Sequence, residues 1–409
     1  MGERSPFAPK RFPALPAVSG VLLGGASCGV KYKGRKDLFL ATLEPGSALA
    51  GVFTKSKTAS APVEWCRKHL RGGKARAIIV NSGNANAFTG RDGLDAVVHT
   101  VDGVVDALGC RPAEVFVAST GVIGEKMSAD RITAVLPRLV KRLRPNAWKD
   151  AAAAIMTTDT YAKGASASCE ISGKAVTISG IAKGSGMIAP DMATMLSFVF
   201  TDARLPQPVL QRLLRRAVDR TFNCVTVDGD TSTSDTVLLA ATGKARNRAP
   251  DGPSDPALAG FREALEHVLR DLALQVVRDG EGASKFVTID VTGAESTQAA
   301  RRIGLSVANS PLVKTAIAGE DANWGRIVMA VGKAGEKANR DRLDIAIGGV
   351  TIARAGERVP DYDEAPVARH MKGREIDVAV HVGVGRGRAR VWTCDLTHGY
   401  IAINADYRS

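Results

Sequence analysis

The chain runs to 409 residues, 45% of them hydrophobic and 24% charged, enough for two or more domains around a substantial core. No stretch approaches the roughly 20 continuous apolar residues of a membrane span. The apolar run from Val18 to Ala26 is broken by Gly20, Gly24 and Gly25 and lacks the basic lead of a signal peptide, so a cytoplasmic protein is expected. Lys and Arg outnumber Asp and Glu by 55 to 42, a net charge of +13, yet aromatic residues are only 5% of the chain. Basic clusters without interleaved aromatics argue against a nucleic-acid surface and suit an enzyme that attracts small carboxylates.

Strand-like and helical runs alternate along the chain. Arg76 to Asn81 reads as a short buried strand, 93–108 as a helix stopped by Gly109, and Glu114 to Ala118 as a second buried strand. Ser128 can cap a helix over 129–143, which Pro145 ends and Pro137 kinks or splits. A short Ala-rich helix over 146–156 follows, then an alternating strand over 175–181. Beyond a glycine-rich loop, 194–200 reads as a buried strand. A helix over 208–221 turns Arg212, Arg215, Arg216 and Arg220 to solvent, opposite Leu210, Leu213, Leu214 and Val218. The Pro/Gly-rich stretch 249–256 is a surface loop, and the longest helix spans 255–277 with Ser254 as cap and Pro256 in its first turn. A strand over 286–291 and a helix opened by Ser310-Pro311 come next. Strands then dominate, at 345–352, 375–382 and 389–394, with Arg386, Arg388 and Arg390 alternating on one face. The class is α/β or α+β, a layered sandwich of sheets covered by helices.

Cys28, Cys66, Cys110, Cys169, Cys224 and Cys394 are scattered, with no C-x-x-C pair, and read as reduced and mostly buried. The histidines lack ligand spacing, so no metal and no cofactor is expected. Asp228 to Asp235 crowds acids and hydroxyls as a cation loop does, but without the closing Glu of an EF-hand; a buried polar network is the expectation. Asn81 to Asn86 either lines a site or forms an Asx-rich turn. Gly383 to Gly387 lacks the phosphate-loop pattern.

The chemistry points to one junction. Lys183-Gly-Ser-Gly-Met-Ile-Ala-Pro-Asp-Met-Ala-Thr-Met-Leu196 leads flexible residues into an Ala193-Thr194 bond, followed at once by an apolar run. A threonine so placed can attack the preceding carbonyl with its own hydroxyl and, after hydrolysis of the ester, become a new N-terminus. Its hydroxyl would then be a nucleophile, and its α-amine, with an ordinary pKa of roughly 7.7–8.0, a base at neutral pH. By pattern alone, Thr194 reads more readily as a β-branched residue opening a core strand, since Ala-Thr before an apolar run is common.

Five motifs in order decide between these readings. Ser119-Thr120-Gly121-Val122-Ile123-Gly124, Met156-Thr157-Thr158-Asp159-Thr160, the Lys183–Leu196 block, Asp279-Gly280-Glu281-Gly282-Ala283 and Asn404-Ala405-Asp406-Tyr407 together resemble the ornithine acetyltransferase family, the bifunctional glutamate N-acetyltransferases of arginine biosynthesis. Gly29 to Lys33 and Gly51 to Thr54 match its style as well.

The resemblance implies cleavage before Thr194 into an α chain, 1–193, and a β chain, 194–409, that stay associated as an α2β2 heterotetramer of layered α/β fold. It makes Thr194 the nucleophile of a ping-pong transfer of acetyl from N-acetylornithine to glutamate, and leaves acetyl-CoA open as a second donor. It assigns the oxyanion hole to Thr120 and Gly121, and substrate contacts to Thr157, Lys183, Thr194, Glu281, Asn404 and Ser409, with Thr158 an alternative to Thr157. Lys183 would meet an α-carboxylate and Glu281 an ammonium. Many members end in Thr or Ser preceded by Thr, whereas this chain ends Tyr407-Arg408-Ser409 and brings an extra charge. The alternatives are an amidohydrolase or aminopeptidase with water as acceptor, and a non-enzymatic basic binding protein.

Overall fold

The structure, a computed structural model, describes residues 3–189 and 195–405. Ala193, Thr194 and Ser409 therefore lie outside the described residues. The chain forms two compact units, one of Pro9–Asn223 with Asp230–Val276, the other of residues 3–8, 224–229 and 277–405.

In the larger unit the strands are β1 (Val21–Ala26), β2 (Leu38–Leu43), β3 (Ala48–Phe53), β4 (Ala77–Asn84), β5 (Val115–Val122), β6 (Lys163–Ile171), β7 (Lys174–Lys183), β8 (Leu196–Thr201) and β9 (Thr236–Ala241). They make a four-stranded sheet, β1-β2-β4-β5, and a five-stranded sheet, β3-β9-β8-β7-β6. Among the described residues of this unit, only β4–β5 and β8–β9 pair in parallel.

Residue alternation stacks these layers. Phe39 and Ala41, Ile78 and Val80, and Phe116 and Ala118 face one core, shared with Phe198 and Phe200 of β8 and Leu238 and Ala240 of β9. Their neighbours Leu38, Leu40, Ala77, Ile79, Val115 and Val117 face a second core against helices Gly90–Leu108, Ala129–Thr133 and Leu136–Val140. A sheet buried on both faces needs continuous apolar strands, which is why 76–81 and 114–118 show no alternation.

Helix Trp148–Ala154 also feeds the first core. Ring centroids there stand 5.6 Å apart for Phe39–Phe198 and 5.8 Å for Trp148–Phe200. The outer face of the five-stranded sheet carries helices Gln207–Arg220 and Ala259–Arg278. The Gln211 amide exchanges two hydrogen bonds with the Gly51 backbone of β3, at 3.0 and 2.9 Å. A Cβ on Gly180 of β7 would stand 3.3 Å from Leu272. The order of layers is helices, sheet, sheet, helices.

The smaller unit holds β10 (Phe286–Ala294), β11 (Asp344–Ile347), β12 (Val350–Arg354), β13 (Glu357–Arg358), β14 (Glu375–His381) and β15 (Gly387–Cys394), in the order β13-β12-β11-β14-β10-β15. Helix Thr297–Ala308 covers one face so closely that a Cβ on Gly304 would stand 2.8 Å from Val391. The other face is polar, and Arg390 grips Asp290 through two bonds of 2.7 and 2.8 Å.

Of the two outcomes expected at Pro137, the split is found: the helix over 129–143 is two short ones. Two other expectations change. The strand expected over 345–352 is the hairpin β11–β12, turned by Gly348 and Gly349 at φ 59° and 78°, the left-handed pair that a two-residue turn demands. Of the six cysteines, all free, Cys66, Cys224 and Cys394 are buried and the others half-buried. Among the described residues no helix is long and apolar enough to cross a membrane.

Candidate active site

The C-terminal ends of β5 and β7 bring two expected residues together. Lys183 closes β7 and Thr120 lies near the end of β5; both are buried, and the Lys183 ammonium donates to Thr120 Oγ1 at 3.0 Å. Gly121 follows at φ 133°, and a Cβ there would sit 2.2 Å from the carbonyl carbon of Gly83. Glycine is therefore required, both for the dihedral and for the close approach of β4.

Behind this pair, Ser119 donates to Asn81 Oδ1 at 2.6 Å, and Asn81 donates to Asn84 O at 2.9 Å. Asn84 in turn donates to Glu125 O at 3.0 Å and accepts from the Asn86 N–H at 2.7 Å. The Asn81–Asn86 stretch is thus a buried brace for the strand ends.

Asp159 ties the remaining loop to the site. Its carboxylate accepts from Lys163 Nζ at 2.6 Å, from the Gly184 N–H at 2.7 Å and from the Thr157 N–H at 3.0 Å. Burial pushes its pKa up, but the Lys163 and Lys183 charges and the Gly184 N–H win and hold it down at about 2. Thr157 meets Asp159 through its backbone, whereas the Thr158 hydroxyl pairs with Ser185 Oγ at 2.7 Å. Arg35 stacks on Tyr32 at 4.0 Å and donates to the Met156 and Thr157 carbonyls, fixing the same loop.

Met195 leads into β8. Its carbonyl accepts from the Thr236 N–H at 3.0 Å, and Leu196 is registered between Lys183 on β7 and Thr236 on β9. Asp235, just before β9, is buried, and desolvation raises its pKa well above the carboxylate range.

Glu281 and Asn404 meet in the smaller unit, where the Asn404 amide donates to Glu281 Oε2 at 2.8 Å and to Tyr400 O at 3.0 Å. Gly282, at φ 70°, lets the Glu281 turn press on helix His398–Ala405; a Cβ there would be 2.3 Å from the Tyr400 nitrogen. Sequence reasoning passed over Asp159, Lys163 and Ser185 as site residues, although Asp159 lies inside a quoted motif and Lys163 follows it by four. Thiols are poor candidate nucleophiles here, since burial pushes Cys28 and Cys66 up to about 12.

The layered α/β fold thus joins, at its strand ends, a hydroxyl, a backbone turn that only glycine fits and a buried lysine, groups of the kind an acyl-transfer enzyme uses. The chain belongs to the ArgJ family, whose model matches residues 22–409. It is 57% identical over 408 residues to the arginine biosynthesis bifunctional protein ArgJ of Mesorhizobium japonicum, covering 99% of each chain. With the protein of the same name from Gluconobacter oxydans it shares 58% over 405 residues, 99% of this chain and 95% of that one. A crystal structure of the Bacillus halodurans protein of that name matches at 43% identity and a TM-score of 0.51, covering 52% of this chain and all of that one. The chain is accordingly an enzyme, and the reading as a non-enzymatic basic protein falls.

Proposed function

We propose that this enzyme cleaves its own Ala193–Thr194 bond and then uses Thr194 to carry acetyl from N-acetylornithine to glutamate, in the cytoplasm, within an α2β2 assembly. The Thr194 hydroxyl attacks the Ala193 carbonyl, the C–N bond breaks and the nitrogen takes a proton. Water then resolves the ester, leaving a carboxylate on Ala193 and a free amine on Thr194. In turnover that amine takes the Thr194 Oγ proton as the oxygen attacks the acetyl carbonyl, and returns it to the departing ornithine nitrogen. Glutamate's amine reverses the steps. The relatives are named as bifunctional; acetyl-CoA is the second donor we assign.

The observation that carries the reading is the Lys183–Thr120 contact beside Gly121. Because Thr120 Oγ1 accepts from the ammonium, its own proton can be donated outward. With the Gly121 N–H it would make a two-donor oxyanion hole, with the positive charge of Lys183 behind it. Thr157 and Lys183 in one unit, and Glu281, Asn404 and Ser409 further along the chain, are the substrate contacts in this reading. A solved relative whose whole chain corresponds to about half of this one is also what a cleaved member would give.

Intact-mass measurement tests the proposal. The purified protein should give two chains, the second beginning at Thr194 and gaining one acetyl group on incubation with N-acetylornithine. Thr194→Ala should stay in one piece and take no acetyl; a cleaved or acetylated Thr194→Ala chain would sink the assignment. Glutamate should raise turnover above hydrolysis, and no increase would favour the amidohydrolase.

A further inference from the structure

A basic pocket lies in the larger unit between edge strand β1 and the segment 138–150, apart from the strand ends of the site. It is a concavity of about 600 Å³, within the range of small-ligand sites. Lys36, Arg138, Lys141, Arg142 and Arg144 line it, against a single carboxylate, Asp150. Asp150 pairs with Lys36 and, at 3.4 Å, with Arg144. Among the described residues, Arg138, Lys141 and Arg142 make no side-chain hydrogen bond or ion pair. Like charges gathered in this way repel one another, a cost that an entering anion removes.

The backbone shapes this concavity and ties it to the site. Leu23 of β1 exchanges two hydrogen bonds with the Arg144 backbone, at 3.1 and 3.0 Å. Gly25 lets helix Trp148–Ala154 close in, since a Cβ there would stand 2.4 Å from Asp150 O. Asp150 and Ala154 are about one turn apart, roughly 6 Å along that helix. At its far end Ser82 Oγ donates to Ala154 O at 2.9 Å, and Ser82 pairs with Thr120 across β4 and β5. With neighbouring strands about 4.8 Å apart, Asp150 stays within about 20 Å of Thr120. Arg35, next to Lys36, bonds the Met156 and Thr157 carbonyls of the site loop.

We propose that this pocket holds the phosphates of acetyl-CoA, leaving its pantetheine arm to carry the thioester to the Thr120–Gly121 turn. The inference rests on the acetyl-CoA reading above. The match is one of charge. A 3′-phosphate alone carries about −1.5 to −2 at neutral pH, and the pyrophosphate adds to it. Five cations around one acid meet that load, and guanidinium forks grip phosphate oxygens in pairs. Glutamate and N-acetylornithine carry no phosphate and leave these cations unused. None of the described lining residues is aromatic, so the pocket lacks the stacking platforms of a single-stranded nucleic-acid site. The extended pantetheine arm spans a distance of the order that separates Asp150 from Thr120.

Calorimetric titration with CoA, which has no acetyl to transfer, tests the pocket apart from the chemistry. Arg138→Gln/Arg142→Gln should weaken CoA binding about tenfold or more and raise KM for acetyl-CoA in parallel, with kcat nearly unchanged. Arg212→Gln/Arg216→Gln removes the same charge from helix Gln207–Arg220 and should leave CoA affinity within about twofold. Wild type should bind CoA more tightly than 3′-dephospho-CoA or ADP. Equal CoA affinity in wild type and Arg138→Gln/Arg142→Gln would overturn the pocket and leave the donor reading intact. So would equal wild-type affinity for CoA and 3′-dephospho-CoA, a comparison that needs no variant. CoA bound with the expected losses, but acetyl-CoA not turned over, would overturn the donor role while supporting the phosphate pocket. Wild type that binds no CoA would overturn both.

Discussion

Two buried side chains carry different loads at the residue scale. In the proposed oxyanion hole Thr120 would serve through its proton: its oxygen is engaged by Lys183, which leaves the hydroxyl hydrogen to donate to developing negative charge. Thr120→Val keeps the shape and removes that donor, so kcat should fall about 10²–10³-fold with little change in KM. Thr120→Ser should retain most of the activity, and steady-state kinetics of the pair check both. Asp159 is structural, the acceptor that joins Lys163, Gly184 and Thr157. Asp159→Asn strands a buried lysine and should cost about 3–5 kcal/mol at neutral pH, measured by urea unfolding. The wild-type carboxyl is depressed from 3.8 to about 2. Its stabilisation is therefore fully present above about pH 4 and lost as pH falls towards 2. The gap between wild type and Asp159→Asn should close over that same interval.

Among the elements, the sequence was legible where a helix or strand carries its own signal. The Gly109 stop holds: it takes φ 63° and its N–H bonds Val105 O at 2.8 Å. Ser310 caps its helix through the Val313 N–H, with Pro311 in the first turn. The strands β1, β3 and β6 escaped notice because Val21–Ala26, Ala48–Phe53 and Lys163–Ile171 are diluted with Gly, Ala and Ser. Their β character comes from neighbours, and Gly51 survives in β3 because Gln211 bonds its backbone. In the site, Thr120, Gly121 and Lys183 were reachable through family motifs, whereas their contact was not, since 63 residues separate Thr120 from Lys183. Asp235 was visible only as part of an acidic loop, because nothing local announces that its carboxyl will be buried.

For the whole molecule, the strand order β3-β9-β8-β7-β6 has a consequence for the mature enzyme. Cutting before residue 194 assigns β3, β6 and β7 to one polypeptide and β8 and β9 to the other. Along the sheet the two strands of the second product therefore lie between strands of the first. The β3–β9 ladder runs from Ala48 to Phe53, and the β7–β8 ladder from Ile178 to Lys183. Both ladders join different molecules after the cut, and Phe198, Phe200 and Leu238 share a core with residues of the other product. Neither product can leave without dismantling the sheet. The proposed cut would raise the molecularity of folding: segments covalently joined in one chain would become two incomplete partners that must associate. In a concentration series the unfolding midpoint in urea of the cut enzyme should rise more steeply with protein concentration than that of uncut Thr194→Ala, because more separate chains must associate. Under the proposed cut, the ladders laid down within one chain would become the bonds that hold two chains together.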